Sequence, residues 1–348
     1  MSAHELYMQR CIDLAQKGIG NVAPNPMVGA VLVHESRIIG EGWHQQFGGP
    51  HAEVNCINSV AEADRNLISQ STLYVSLEPC NHFGKTPPCT ELIIQTQIKK
   101  VVIACTDPFD KVNGTGIKKL IDNGIDVITG VLEREAIRLN KRFFIFHQQQ
   151  RPYVILKWAQ SFDDYISLTK GKPVKISNEI TDKLVHKWRS EEAAIIVGTN
   201  TVINDNPSLT TRNWTGRNPL RIFIDKRLSI DANYNILNNN TDTLILNLVK
   251  NEKVGVNEFI LIHDETKLIE ELLQLLYKKG IQSLIVEGGT RLLQSFIDNN
   301  FWDETRVIKN TELLLQEGIP SPVLKNNVRF NQEWVGDDVI NYYSNSSI

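Results

Sequence analysis

Two α/β domains in series, each built on a mostly parallel sheet, are what this 348-residue chain predicts. Three observations carry the prediction. The length is generous for one domain and comfortable for two. Short apolar runs suited to strands alternate with longer amphipathic stretches along the whole chain. The alternation is broken near the middle by Gln148-Gln149-Gln150-Arg151-Pro152, which is polar and ends in proline. The expected domains are therefore 1–147 and 151–348.

The elements follow in order. Residues 3–16 place Leu6, Cys11, Leu14 and Ala15 on one helical face. Residues 28–39 read as a hairpin, with an apolar run from Val28 to Val33, a polar turn at Glu35-Ser36, and a return through Ile38-Ile39. A helix is expected over 51–63, and strands over 72–77, 101–105 and 126–129. Further helices are expected near 87–96, 115–123 and 132–146. In the second half, strands are expected at 153–160, 194–198, 221–225, 243–248 and 283–286, and helices near 178–190, 265–279 and 290–299. The Asn-rich stretch 233–240 reads as an exposed loop. The two halves show no internal repeat.

Composition narrows the function. Net charge is −3 and there is no basic run, which argues against a nucleic-acid partner. No segment has the uninterrupted apolar length of a membrane span, and the acidic Glu5 and Asp13 make the opening residues unlike a secretion signal. Five cysteines, an odd and sparse set, suit a reduced, cytoplasmic protein.

The strongest chemical signal lies in the first half. His51-Ala52-Glu53 opens an expected helix, Pro79-Cys80 ends an expected strand, and Cys89 precedes another helix. One imidazole and two thiolates suit zinc with a fourth position kept for water, whose ionisation near neutral pH gives a nucleophile. Glu53, two residues beyond His51, is placed to shuttle protons without ligating. His-x-Glu followed by Pro-Cys and a second Cys is the signature of zinc deaminases. Here eight residues separate the cysteines, where most of that superfamily has two. The enlarged loop, holding His82 and Lys85, is expected to fold over the substrate. Cys11, Cys56 and Cys105 read as packing residues, and His44 as a candidate substrate contact.

The second half is less explicit. Leu284-Ile285-Val286-Glu287-Gly288-Gly289-Thr290 runs from strand through two glycines into a helix, a layout that lets backbone N–H groups approach a phosphate. No G-x-G-x-x-G follows an expected strand, which disfavours a Rossmann domain. Gly114-Thr115-Gly116 lacks the third glycine and lies in the other half.

Longer strings carry a resemblance. Pro24-Asn25-Pro26-Met27-Val28-Gly29, Gly40-Glu41-Gly42-Trp43-His44, His51-Ala52-Glu53, the run from Leu77-Glu78-Pro79-Cys80 through Pro88-Cys89, Asp107-Pro108 and Gly114-Thr115-Gly116 together closely resemble the bifunctional riboflavin-biosynthesis deaminase/reductase family. The second half continues it with Lys157-Trp158-Ala159-Gln160-Ser161-Phe162-Asp163, the stretch 198–212, Arg221–Asp225 and Glu287-Gly288-Gly289.

The resemblance implies a cytidine-deaminase-like α/β/α domain that uses Zn2+, followed by a dihydrofolate-reductase-like α/β domain that uses NADPH. The first would deaminate 2,5-diamino-6-ribosylamino-4(3H)-pyrimidinone 5′-phosphate, and the second would reduce the ribosyl chain to ribityl, through an open-chain imine. It further implies that Asn25, His44, His82 and Lys85 touch the substrate. Ala159, Lys175, Thr201, Asp205, Gly289, Thr290 and Arg291 would line the cofactor. Arg189 and Arg212 would hold the phosphate, Leu209 would pack on the substrate and Glu287 would face the ribose. Lys157 and Asp205 are the candidates for proton management. A homo-oligomer is allowed.

The chain departs from the family in three places. Ser161-Phe162-Asp163-Asp164 stands where Ser-Leu-Asp-Gly is usual, and Lys175 stands where a tryptophan often precedes Ile176-Ser177. Arg306-Val307-Ile308-Lys309-Asn310 is also more polar than usual. These departures motivate an alternative, an active deaminase whose second half serves only as an assembly module.

Overall fold

The computed structural model describes residues 2–83, 87–109, 112–168, 174–238 and 240–347. By internal contacts the chain divides into Met1–Gln150 and Arg151–Ile348.

In the first unit the strands are β1 (Gly29–His34), β2 (Arg37–Trp43), β3 (Thr72–Val75), β4 (Lys100–Ile103) and β5 (Asp126–Thr129). The helices are α1 (Ala3–Gln16), α2 (Ala52–Asn58), α3 (Cys89–Gln95), α4 (Thr115–Asp122), α5 (Glu133–Leu139) and α6 (Lys141–Gln149). The sheet runs β2-β1-β3-β4-β5. β1 is antiparallel to β2 and β3, whereas β3, β4 and β5 are parallel. Glu35 and Ser36 both take positive φ, the geometry of a tight hairpin whose twist matches its strands.

Alternate residues feed two cores. Val31, Val33, Tyr74 and Val102 pack with α1, α5 and α6. Ala30, Leu32, Leu73, Val75, Val101 and Ile103 pack with α2, α3 and α4. Both faces are therefore covered by helices, as a sheet with parallel strands requires.

Several elements differ from expectation. Leu6 is 58% exposed, and the buried stripe of α1 is Met8, Cys11, Ile12, Leu14 and Ala15. Leu6 lies five residues before Cys11, about 140° around the helix. The expected helix over 51–63 ends at Asn58, and a 3-10 helix follows at Glu62–Gln70. The expected helix over 132–146 breaks at Asn140, whose buried amide accepts from Met27 N and donates to Met27 O, both at 2.8 Å. The glutamines of the expected linker extend α6 to Gln149, and Gln150 ends it in the left-handed conformation.

In the second unit the strands are β6 (Tyr153–Gln160), β7 (Tyr165–Ser167), β8 (Ala194–Val197), β9 (Leu220–Ile224), β10 (Thr243–Asn247), β11 (Glu252–Val254), β12 (Asn257–Leu261), β13 (Ser283–Val286), β14 (Glu304–Asn310), β15 (Ile319–Pro320), β16 (Asn327–Val335) and β17 (Asp338–Asn345). The helices are α7 (Glu179–Glu191), α8 (Thr199–Asp205), α9 (Leu268–Lys278) and α10 (Thr290–Asp298). Among the described residues the main sheet runs β11-β12-β10-β9-β8-β13-β6-β14-β17-β16. From β12 to β14 all neighbours are parallel, with antiparallel strands added at both edges.

β13 returns to lie between β8 and β6, so the Gly288-Gly289 turn falls at the sheet centre, where open α/β sheets bind ligands. One face of the sheet packs Val154, Leu156, Ile196, Ile222, Leu246 and Val286 against α9 and α10. The Asn-rich stretch is not wholly exposed: Asn235–Leu237 forms a 3-10 turn with Ile236 fully buried.

Candidate functional site

Three element termini in the first unit converge. His51 is the residue before α2, in extended backbone, so its ring projects off the helix start. Cys80 follows β3 after a short extension, and Cys89 is the first residue of α3. Their ligand atoms all lie within 4.8 Å of one another. His51 Nδ1 is 3.5 Å from Cys80 Sγ and 3.3 Å from Cys89 Sγ. Tetrahedral zinc with ordinary Zn–N and Zn–S bonds sets that separation at about 3.5 Å, so the donor set fits the ion. Cys89 N–H donates to Cys80 Sγ at 3.3 Å. The Cys89 thiol and the His51 ring also hydrogen-bond Cys80, and together they hold its thiol well below the ordinary range.

Glu53 lies in the first turn of α2, 3% exposed, and burial pushes its carboxyl up. That suits a group that must alternately hold and release a proton. His44 is buried, its ring 5.5 Å from that of His51. Burial, then proximity to His51, lowers its basicity despite its bond to Pro50 O. In the neutral tautomer, His44 Nδ1–H donates to Pro50 O at 2.9 Å and Nε2 accepts from Asn25 Nδ2 at 3.1 Å. That fixes the Asn25 amide and leaves its oxygen as an acceptor for a ring N–H. His82 is exposed, its ring 6.3 Å from that of Phe109. Lys85 lies outside the described residues.

Sequence reasoning missed Asn140, which clasps Met27 and so pins the segment that presents Asn25. An asparagine inside a helical pattern was the available signal.

In the second unit a cavity of about 1000 Å³ opens at the carboxyl ends of β6, β8 and β13. Ala159, Lys175, Thr201, Asp205, Gly289, Thr290 and Arg291 all line it, as do Lys157 and Glu287. Gly288 has φ +116°, which side chains rarely adopt, and a Cβ on Gly289 would come within 3.6 Å of Thr201 Oγ1. Two glycines leave the backbone N–H groups at the start of α10 uncovered by side chains, which fits a phosphate-bearing dinucleotide. Lys175 pairs with Asp182 at 3.2 Å. Asp205 ends α8 on the exposed side.

Arg189 is already paired inside the unit. Arg189 donates Nε to Glu287 Oε1 at 2.8 Å, Nη2 to Glu287 Oε2 at 2.7 Å and Nη1 to Thr210 O at 3.3 Å. Its fork is spent on an internal carboxylate, because a buried glutamate needs a matched cation. Lys157 Nζ lies 3.8 Å from the same carboxylate. Burial raises the Glu287 carboxyl, but Arg189 and Lys157 outweigh it and hold it at about 2. Burial lowers the Lys157 ammonium. Arg212 is exposed, and Leu209 is buried without lining the cavity.

Two of the departures also find partners. Asp164, at φ +66°, accepts from Lys309 Nζ at 2.8 Å and from Gln160 Nε2 at 2.5 Å, and Gln160 Oε1 in turn accepts from Trp158 Nε1 at 2.6 Å.

Residues 1–105 match the cytidine and deoxycytidylate deaminase zinc-binding region, and residues 152–314 match the RibD C-terminal domain. The chain is 41% identical over 305 residues to the riboflavin biosynthesis protein RibD of Aquifex aeolicus, covering 85% of this chain and 84% of that one. It is 39% identical over 310 residues to the RibD of Bacillus amyloliquefaciens, covering 86% and 82%. A crystal structure from Thermotoga maritima, described as a diaminohydroxyphosphoribosylaminopyrimidine deaminase/5-amino-6-(5-phosphoribosylamino)uracil reductase, superposes with a TM-score of 0.89 at 36% identity and covers 99% of both chains. One of Acinetobacter baumannii RibD superposes at 0.88 with 30% identity, covering 98% of both.

Proposed function

The chain belongs to the RibD family of bifunctional deaminase/reductases, and from that premise we propose which of its side chains carry each reaction of riboflavin biosynthesis. The first reaction replaces the ring amine of the diaminopyrimidinone ribosyl phosphate by oxygen. The second reduces the ribosyl group to ribityl. Zn2+ and NADPH are the cofactors that go with the two domains.

In the deaminase unit, His51, Cys80 and Cys89 hold zinc, which when bound supplies a water ionised near neutral pH. Asn25, aligned by His44, accepts a hydrogen bond from the pyrimidine and sets the angle of the ring. Glu53 holds a proton in its buried carboxyl and passes it to the departing amine. In the reductase unit, NADPH supplies the hydride. Lys157 faces the cavity beside Glu287 and manages the proton that accompanies opening of the sugar. Glu287 keeps Lys157 oriented and offers its carboxylate to ribose hydroxyls. Asp205, at the exposed end of α8, has less support for a proton role.

The observation that carries this reading is the convergence of three ligand atoms within 4.8 Å beside a buried glutamate. Among the described residues no helix is long and apolar enough to cross a membrane, and all five cysteines are unpaired. The unpaired cysteines support a cytoplasmic location.

Mass analysis of products tests the reading. Zinc-replete protein should yield the deaminated phosphate without NADPH and the ribityl phosphate with it. Cys80→Ser should lose zinc and deamination yet still reduce deaminated substrate supplied from outside. Absence of any deaminated product would overturn the first assignment. A deaminated product left unreduced at saturating NADPH would favour the assembly-module alternative.

A further inference from the structure

Gly114-Thr115-Gly116 looks like a phosphate-binding turn at the start of α4, but the structure fills it from within. The Glu78 carboxylate, 4% exposed, accepts four backbone N–H bonds. Oε1 accepts from Gly116 at 2.9 Å and Ile117 at 3.2 Å, and Oε2 from Gly114 at 2.9 Å and Asp107 at 3.2 Å. α4 has no side-chain cap of its own, so Glu78, three residues past the end of β3, satisfies donors its first turn leaves over.

The contact is close on both sides of Cys80. A Cβ on Gly116 would stand 2.1 Å from Pro79 O, so only glycine lets the turn seat there. Asn81, on the other side, donates Nδ2 to Thr115 O at 3.4 Å and accepts from Thr90 Oγ1 at 3.2 Å. Cys80 is thus bracketed by two anchors on one helical turn.

We infer that Glu78 is a positioning residue for the metal centre, and that α4 acts through it to fix where the Cys80 sulfur stands. The inference rests on the zinc reading of His51, Cys80 and Cys89. A carboxylate offers acceptors only, which matches four inward N–H groups. An amide in its place would turn an NH2 against them. Groups that orient metal ligands from behind are worth about 10–100-fold in metal affinity.

The test compares wild-type protein with Glu78→Gln and with Ile98→Ala, a core truncation in the same domain. Zinc affinity is read by competition with a chromophoric chelator, and ligand geometry by the visible absorption of the cobalt-substituted protein. Glu78→Gln should lose about 10–100-fold in zinc affinity and shift the cobalt bands, whereas Ile98→Ala should melt earlier with both readouts unchanged. Wild-type affinity and bands in Glu78→Gln would overturn the inference. So would equal losses in Ile98→Ala, which would mark the effect as general destabilisation. If Glu78→Gln does not fold, Glu78→Asp, which keeps the carboxylate on a shorter arm, should still bind zinc more weakly than wild type and shift the cobalt bands, and wild-type values there would overturn the inference equally. A wild-type protein that takes up no zinc would instead refute the metal reading beneath.

Discussion

Arg189→Ala separates what the family pattern implies from what the structure displays. As a phosphate clamp, Arg189 would contribute little to stability and much to substrate binding. As the partner of Glu287 it should do the reverse. The Arg189 and Glu287 side chains are 13% and 5% exposed, so solvent screens the pair little. Removing the guanidinium leaves the buried carboxylate, among the described residues, with the looser ion pair to Lys157 at 3.8 Å. Breaking one side of such a pair costs about 3–5 kcal/mol. The direction of the carboxyl's shift agrees: against the pull of burial, Arg189 and Lys157 together hold it at about 2.

The sign of the pH dependence follows. A depressed carboxyl contributes in full above its unfolded value and loses that contribution as pH falls through its folded one. The gap between wild type and Arg189→Ala should therefore be widest near neutrality and narrow between pH 4.5 and about 2. Five of the six tryptophans lie in the second unit, so fluorescence in a urea titration reports that unit. Reductase kinetics on the deaminated substrate complete the assay, with kcat expected to fall because Glu287 and Lys157 lose their alignment. An unchanged urea midpoint with a raised KM would refute this account and restore the clamp.

Four further substitutions test the same geometry. Glu53→Gln should retain stoichiometric zinc by metal analysis while deamination falls by about 10²–10⁴-fold; retained turnover would remove Glu53 from proton transfer. Arg212→Ala, at an exposed position, should raise KM for the phosphorylated substrate in the reductase assay with the urea midpoint unmoved; an unchanged KM would leave neither arginine on the phosphate. A double-mutant cycle of Asp164→Gly and Lys309→Leu should give a coupling of only about 0–1 kcal/mol, since the partners are 58% and 29% exposed, and an NADPH KM that changes less in the double variant than in Lys309→Leu alone; strictly additive KM effects would dissolve the pair.

What was legible in the sequence was chemistry fixed by local spacing. His51-x-Glu53 and Pro79-Cys80 sit at element ends, where neighbouring turns dictate geometry, so their convergence could be read in one dimension. What was not legible depended on distant partners. β14 carries Glu304, Thr305 and Arg306, which look unsuited to a buried strand, yet Arg306 Nε donates to Glu304 Oε1 at 2.7 Å and the guanidinium stacks 4.8 Å over Trp188. β16 is exposed along almost its whole length even though Val328, Phe330 and Trp334 alternate with polar residues; its pairing with β17 is what holds it as a strand. The role of Arg189 was hidden for the same reason, because its partner lies 98 residues away.

The two unusual features of the reductase half bear on each other. Read singly, Asp164 for glycine and a polar β14 suggest a domain drifting from its chemistry. In the fold they are one feature. The left-handed backbone at residue 164 tolerates aspartate better than most side chains, and β14 pairs in register with β6 so that Lys309 lies opposite Gln160. The Asp164 carboxylate then joins Lys309 to Gln160 and through it to Trp158, a residue that lines the cavity. The paired charges thus tie β14 to a residue of the cavity wall. The same cavity is lined by Lys157 and Glu287, which the buried Arg189 pair holds in place. The pairing therefore weighs for a reductase half that still works.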